Sequence, residues 1–297
     1  MHILITGANG YLGQQLCKYF AEKKYAVTAA GRGQRRIPKD IFVKWISTDF
    51  SSVDAVYKLI VGTHPDVIIH TAAMSKPDEC LQEQNKAYAH NVIATRQLAQ
   101  AYQQINLKVK RFIYLSSDFI FGNGGPHKEN DEPNPLNYYG ETKRIAEFEV
   151  EVLAEQASIV RPVFIYGDTW AGIRPGFIQW VANSLKNEQP IRVVNDQLRT
   201  PTFAPDICNG IEAIIQQKKN GVWHLAGKDM VSPYDMACKV ASMLNLSTEF
   251  ITAAPSDSFH NTVKRPTTGG LNIDKAIEEL HYNPVSLEEG LRRSFRL

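Results

Sequence analysis

Residues 2–13 read HILITGANGYLG. His2–Thr6 is a short apolar run ending at a glycine, and a helical pattern follows from Tyr11 to about Lys23. Gly7, Gly10 and Gly13 are spaced GxxGxxG, a variant of the GxGxxG turn with the same physical logic. Glycine tolerates a tight strand-to-helix turn, and its missing Cβ lets a pyrophosphate approach backbone N–H groups at a helix start. Gly13 allows the helix to lie close against the sheet. Placement straight after a first strand and before an amphipathic helix marks a dinucleotide-binding turn. Asn9, Tyr11 and Leu12 between the glycines are further cofactor-contact candidates.

The same rhythm continues outward. Tyr25–Gly31 and Phe42–Ile46 read as the second and third strands, Ser51–Val61 as a helix, and Asp66–Thr71 (DVIIHT) as a buried strand. A long helix is predicted from about Asp78 to Ile105, then a strand at Arg111–Ser116, a helix at Tyr138–Gln156 and a strand at Ala157–Arg161. Short β-branched runs between helices are what a parallel sheet covered on both faces requires. After about residue 167 the pattern loosens, although Asp206–Gln217 and Gly221–Leu225 read as a helix and strand returning to the main sheet. The predicted fold is α/β, a doubly wound parallel (Rossmann) sheet with a smaller, discontinuous C-terminal substrate lobe. Residues 1–167 and 205–228 would form the dinucleotide domain, and 168–204 and 229–297 the substrate lobe.

Bulk properties narrow the function classes. Of 297 residues, 43% are hydrophobic and 22% charged, as in ordinary globular chains. No apolar run approaches the roughly 18–20 residues that cross a bilayer, and the first residues show no signal peptide. A net charge of +2 with scattered basic residues gives no nucleic-acid stripe. Cys17, Cys80, Cys208 and Cys238 are far apart and lack a CxxC pair, which argues against a zinc site or disulfide framework and for a reducing, cytoplasmic setting. His70, His127, His224 and His281 are dispersed, so no metal is assigned.

An acid about 20 residues past the turn normally grips the ribose 2′-hydroxyl of NAD. Here residues 28–36 read TAAGRGQRR, with no acid and with Arg32 placed to pair with a 2′-phosphate. NADPH is therefore the expected cofactor, with NADH the lesser alternative. Tyr139 and Lys143, four apart in a predicted helix, share one face, whereas Tyr138 points well around it. A phenol titrates near pH 10, and a lysine cation nearby should lower that value and suit acid–base work on a carbonyl oxygen. Ser116-Ser117-Asp118 ends a strand, at the edge where open α/β sheets bind ligands, so a serine hydroxyl there can bond the same oxygen.

Together these segments resemble the extended short-chain dehydrogenase/reductase superfamily, and within it the dTDP-4-dehydrorhamnose reductase family. TGANGYLG, DVIIHTAAMSKPDECLQEQNKAYAHNV, LSSDFIF, PLNYYGETKRIAE and RPVFIYG carry the general likeness. DQLRTPT and RPTTGGLNIDK, similar to DQxGxPT and RPxxSxLdxxK, point to the reductase branch. The resemblance implies a catalytic trio of Ser117, Tyr139 and Lys143, with Lys143 and Tyr139 also at the nicotinamide end. It implies pyrophosphate at Gly7, Gly10 and Gly13, adenine near Asp49 and Phe50, and the cofactor's ribose path along Ala72 and Ala73. Asn91 takes a supporting position, and Asp118, Phe164 and Arg199 face substrate. Phe164 stands where the family has tryptophan, Arg199 and Ala146 where it has glycine, and Gly269 where it has serine.

The implied activity is NADPH-dependent reduction of a 4-keto group on a nucleotide-linked deoxysugar, as in dTDP-rhamnose biosynthesis, with a homodimer also implied. Two other functions compete. A sugar-nucleotide epimerase or dehydratase is disfavoured because Phe119 follows Ser117-Asp118 where dehydratases place a second acid, and because Arg32 argues against a retained NAD. A non-catalytic subunit, like the regulatory β subunit of methionine adenosyltransferase, shares the fold and much of the motif set.

Overall fold

A computed structural model describes residues 1–104, 111–170, 172–259 and 263–297. The first half runs β1 (His2–Thr6), α1 (Tyr11–Glu22), β2 (Ala26–Gly31), β3 (Lys44–Ser47), α2 (Val53–Thr63) and β4 (Val67–His70). Next come α3 (Pro77–Gln82), α4 (Gln84–Tyr88), a π-helical turn (Ala89–Ile93), α5 (Ala94–Gln104) and β5 (Arg111–Leu115). A 3-10 turn (Asp118–Ile120) leads to α6 (Tyr138–Leu153), β6 (Ala157–Arg161), β7 (Ile165–Tyr166), α7 (Phe177–Lys186) and β8 (Ile191–Val194). The chain ends with β9 (Thr202–Phe203), α8 (Ala204–Gln216), β10 (Gly221–His224), α9 (Pro233–Met243), β11 (Ile251–Ala254), α10 (Asp274–Leu280) and α11 (Leu287–Phe295).

The main sheet has seven parallel strands in the order β10-β6-β5-β4-β1-β2-β3. Strand order therefore reverses between β1 and β4, where a doubly wound sheet opens a crevice at its carboxyl edge. Alternation along β1 feeds two cores. Ile3 and Ile5 pack with Leu16 and Phe20 of α1 and Ile207 and Ile211 of α8. Leu4 points the other way, to Leu59 and Ile60 of α2, Leu98 of α5 and Val150 of α6. Each of these fully buried aliphatics contributes about 1.5–3 kcal/mol of burial.

A third apolar cluster joins Val181 and Leu185 of α7, Val193 of β8, Met236 and Val240 of α9, and Leu287 and Leu291 of α11. It draws on segments on both sides of α8, and β8 pairs with β11 while β7 pairs with β9 in separate two-stranded sheets. The C-terminal stretch is divided, because Leu271, Ile273, Ala276 and Leu280 join the first cluster beside α8.

The long helix read from Asp78 is four pieces, and its expected end at Ile105 lies outside the described residues. Glu83, at φ −118° and ψ 56°, interrupts it between α3 and α4. The π-helical turn then follows α4. Such turns occur mostly as single-turn bulges, frequently at functional sites.

Candidate active site

The glycine turn is closed by its own backbone. Gly7 adopts φ +67°, and a Cβ there would lie 2.5 Å from the Ala72 amide nitrogen, so the turn rests directly on the segment after β4. A Cβ on Gly13 would lie 2.4 Å from the Gly7 carbonyl oxygen. Gly10 caps α1 without a side chain, and no acid occupies the first turn. The first-turn N–H groups, Tyr11 and Leu12 among them, thus face the crevice uncapped, which is the donor set a pyrophosphate needs. Leu12 and Phe50 bury their side chains in the two cores, so Leu12 offers backbone alone. The Tyr11 hydroxyl donates to the Asp168 carbonyl at 3.3 Å, tying α1 to the chain after β7.

Asn9 braces the start of the loop after β2. Its amide donates to the carbonyls of Arg32 (3.2 Å) and Gln34 (2.9 Å), and its oxygen accepts from the Arg36 N–H at 2.9 Å. One side chain thereby holds the whole loop after β2 against the glycine turn. Arg35 is committed within that region, donating to the carbonyls of Ile37, Pro38, Ile41 and Val43. Arg32 is exposed and donates to the His90 ring at 2.9 Å. Arg35 being committed, the exposed Arg32 stays available for a 2′-phosphate, as does the exposed Arg36, whose contact with Asn9 is through its backbone N–H. Asp49 lies beside Arg32, with Oδ1 accepting from the Ser51 N–H (3.0 Å) and hydroxyl (2.7 Å), bonds that lower its pKa more than Arg32 does. The cradle, the uncapped helix and the exposed Arg32 fit a phosphorylated dinucleotide.

Across the crevice, Asn137 caps α6 by accepting from the Gly140 N–H at 3.0 Å. Gly140 is required by packing, since a Cβ there would come within 2.0 Å of the Phe119 carbonyl oxygen. This contact seats Tyr139 beside the 3-10 turn, its ring edge-on to Phe119 at 5.6 Å. Burial pushes the Tyr139 phenol well above its usual range, opposed by a hydrogen bond with Ser117. Ser117 in turn donates to Asp118 Oδ1 at 3.1 Å.

Lys143 is 2% exposed. Its ammonium donates to the Leu115 carbonyl at 2.6 Å and lies 4.2 Å from the Tyr114 ring centroid. Burial lowers it to about 7, with Glu147 opposing. The lysine cation expected to pull the phenol down does not do so here. In the free protein burial dominates both groups, raising the phenol and lowering the lysine. Ser116 lies beside Ser117, but its buried hydroxyl makes no hydrogen bond.

Asn91 pins the crevice. Its oxygen accepts from the Met74 N–H at 2.7 Å, and its amide donates to the Met74 carbonyl (3.0 Å) and Thr142 hydroxyl (2.9 Å). It therefore joins the Ala72–Met74 segment, with Ala73 inside it, to α6. Asp118 and Arg199 form a buried ion pair at 3.5 Å, with the guanidinium 5.1 Å from the Phe119 ring. Burial pushes Asp118 up and Arg199 down, each opposed by the other's charge. Phe164 takes φ 35°, unusual for a bulky side chain, and packs on Phe177 at 5.4 Å. The Trp180 ring lies beyond, tilted against Phe177 at 5.7 Å. The structure brings Ser117, Asp118, Tyr139 and Arg199 together, with Lys143 behind them. Arg32, Asn9 and Asp49 lie at the other end of the crevice, with His90, a residue the sequence reading passed over.

The family model described as RmlD substrate binding domain matches residues 1–296. The dTDP-4-dehydrorhamnose reductase of Aggregatibacter actinomycetemcomitans is 27% identical over 98% of this chain and 97% of its own. The methionine adenosyltransferase 2 subunit beta of Xenopus tropicalis is 30% identical over 82% of this chain and 72% of its own. A crystal structure of dTDP-4-dehydrorhamnose reductase from Bacillus anthracis in complex with NADP aligns with TM-score 0.86 at 27% identity, covering 99% of this chain and 98% of that one. The motifs, the sheet order and the match along nearly every residue agree, and the chain belongs to the RmlD substrate binding domain family.

Proposed function

We propose that this chain is an NADPH-dependent reductase of a 4-keto group on a nucleotide-linked deoxysugar, acting in the cytoplasm. The observation that carries the reading is the seating of Tyr139 edge-on against Phe119, whose N–H is held by Ser117 at the carboxyl end of β5, with Lys143 buried behind them. Bound along the glycine turn, NADPH supplies hydride. Gly7, Gly10 and Gly13 admit its pyrophosphate, Arg32 pairs with its 2′-phosphate, and Ala72 and Ala73 flank its ribose. Tyr139 donates its proton to the carbonyl oxygen as negative charge develops there. Ser117 holds that oxygen, and Lys143, fixed by Leu115, sets the charge felt by the resulting phenolate. Asp118, Arg199 and Phe164 border the sugar, and the segments 168–204 and 229–297, apart from the α10 region, form the lobe that closes on it.

The likeness to methionine adenosyltransferase 2 subunit beta supports a second reading, a non-catalytic partner subunit. Oxidation of NADPH with dTDP-4-keto-6-deoxyhexose, offered with and without prior epimerisation, separates the two. Turnover that requires the epimerised sugar supports the reductase. Tight NADPH binding with no turnover on a panel of nucleotide-linked ketosugars favours the partner subunit.

A further inference from the structure

The π-helical turn Ala89–Ile93 places two neighbouring residues on opposite duties. Asn91 reaches back to Met74 and Thr142, while His90 reaches the loop after β2, where its Nε2 accepts from Arg32 Nη1 at 2.9 Å. Asn9 ties that loop to the glycine turn, so the Arg32–His90 contact sits beyond the uncapped end of α1, where the adenosine ribose of a dinucleotide would lie. The imidazole accepts here, so it is neutral, and its second nitrogen remains a donor.

We propose that His90 is a second ligand of the adenosine 2′-phosphate, closing on it together with Arg32. This rests on the NADPH reading above. In the free protein the two side chains satisfy each other. When a phosphate dianion arrives, Arg32 turns its donors to the oxygens and the freed imidazole gains a proton to become a second cationic donor. A protonated His90 facing Arg32 with no anion between them would be repelled, so the proton and the phosphate bind together. The charged groups around His90 are Arg32 after β2, Asp49 after β3, and Lys86 and Glu83 from the preceding turn, the last two paired at 2.7 Å. Burial, then Arg32, holds the free imidazole below the usual histidine range, which leaves room for the phosphate to raise it. Selection of NADP(H) over NAD(H) should therefore sharpen as pH falls toward the histidine range.

Calorimetric titration of NADP⁺ and NAD⁺ into the whole protein, wild type and His90→Gln, at about pH 6.5 and about pH 8.5, tests this. A full unit of pKa rise on binding is worth about tenfold in affinity, so part of one across this window gives about fivefold. Wild type should gain about fivefold for NADP⁺ over NAD⁺ on acidification, and His90→Gln should lose that gain while NAD⁺ affinity stays within about twofold. NMR titration of His90 in the wild-type protein should show its pKa rising with NADP⁺ and unmoved by NAD⁺, which tests the idea even if the variant folds poorly. Tight NADP⁺ binding that depends on Arg32, with the same pH dependence in both proteins and no movement of the His90 pKa, overturns this inference alone. NADP⁺ binding no tighter than NAD⁺ in the wild type overturns it together with the cofactor reading.

Discussion

Replacing Lys143 with methionine should make the fold more stable while removing its activity. The ammonium is 2% exposed and burial lowers its pKa from 10.5 to about 7. At pH 6 a native chain must carry that charge in the interior, and a shift of this size corresponds to about 5 kcal/mol against the native state. Methionine removes the charge at similar volume but leaves the Leu115 carbonyl without its 2.6 Å donor, which costs about 1–3 kcal/mol. Glu147 is not stranded, because Arg161 still donates to both of its oxygens at 2.9 and 2.8 Å. Lys143→Met should therefore be about 2–4 kcal/mol more stable at pH 6. Between about pH 7 and 10.5 the unfolded chain holds this proton and the native chain does not, so wild-type stability from this group rises with pH. The advantage of the variant shrinks by about 2–3 kcal/mol by pH 9, to near parity. Urea unfolding followed by circular dichroism at both pH values reads the gap directly. A gap that stays constant from pH 6 to pH 9, or a variant less stable at both, would refute the argument that burial governs Lys143.

Gly140→Ala would force a Cβ within 2.0 Å of the Phe119 carbonyl oxygen, and overlap with backbone should cost about 3 kcal/mol in urea unfolding. Unchanged stability would mean that α6 does not rest on the 3-10 turn as described. Arg32→Glu should weaken NADPH by about 10–100-fold, the worth of a charged hydrogen bond, and NADH by less than about threefold. Equal losses for the two cofactors, measured by fluorescence titration, would remove Arg32 from the 2′-phosphate site.

Most of the sheet is legible from sequence because the buried strands are short apolar runs, several of them β-branched, between helical segments. Ile3 to Ile5 and Val67 to Ile69 are buried on both faces and could hardly be anything else. The segment after Pro77 is not legible in the same way. Its residues mix good and middling helix formers, and neither the break at Glu83 nor the π-helical turn has a proline or glycine to announce it. The cost of that misreading is His90, which in a regular helix has no reason to meet Arg32, 58 positions earlier in the chain. Within the site, the Tyr139/Lys143 pair is legible from helix spacing and a Ser116-Ser117 pair from the strand end, while the choice of Ser117 comes only with the family resemblance, and the sign of the electrostatics is not legible at all. Charge spacing is visible in a sequence, whereas the burial that raises Tyr139 and lowers Lys143 is set by tertiary packing. The ion pair of Arg199 with Asp118 is likewise a tertiary fact, 81 residues apart in sequence and 3.5 Å apart in space.

Delivery of the proton by the Tyr139 phenol in a ketosugar reduction is tested by NADPH oxidation by wild type and Tyr139→Phe on an epimerised dTDP-4-keto-6-deoxyhexose, alongside NADPH affinity for each. Loss of a general acid lowers turnover by about 10²–10⁴, and the phenylalanine preserves the ring packed on Phe119, so turnover should collapse while NADPH affinity stays within a few-fold. Near-normal turnover in Tyr139→Phe would remove Tyr139 from the chemistry.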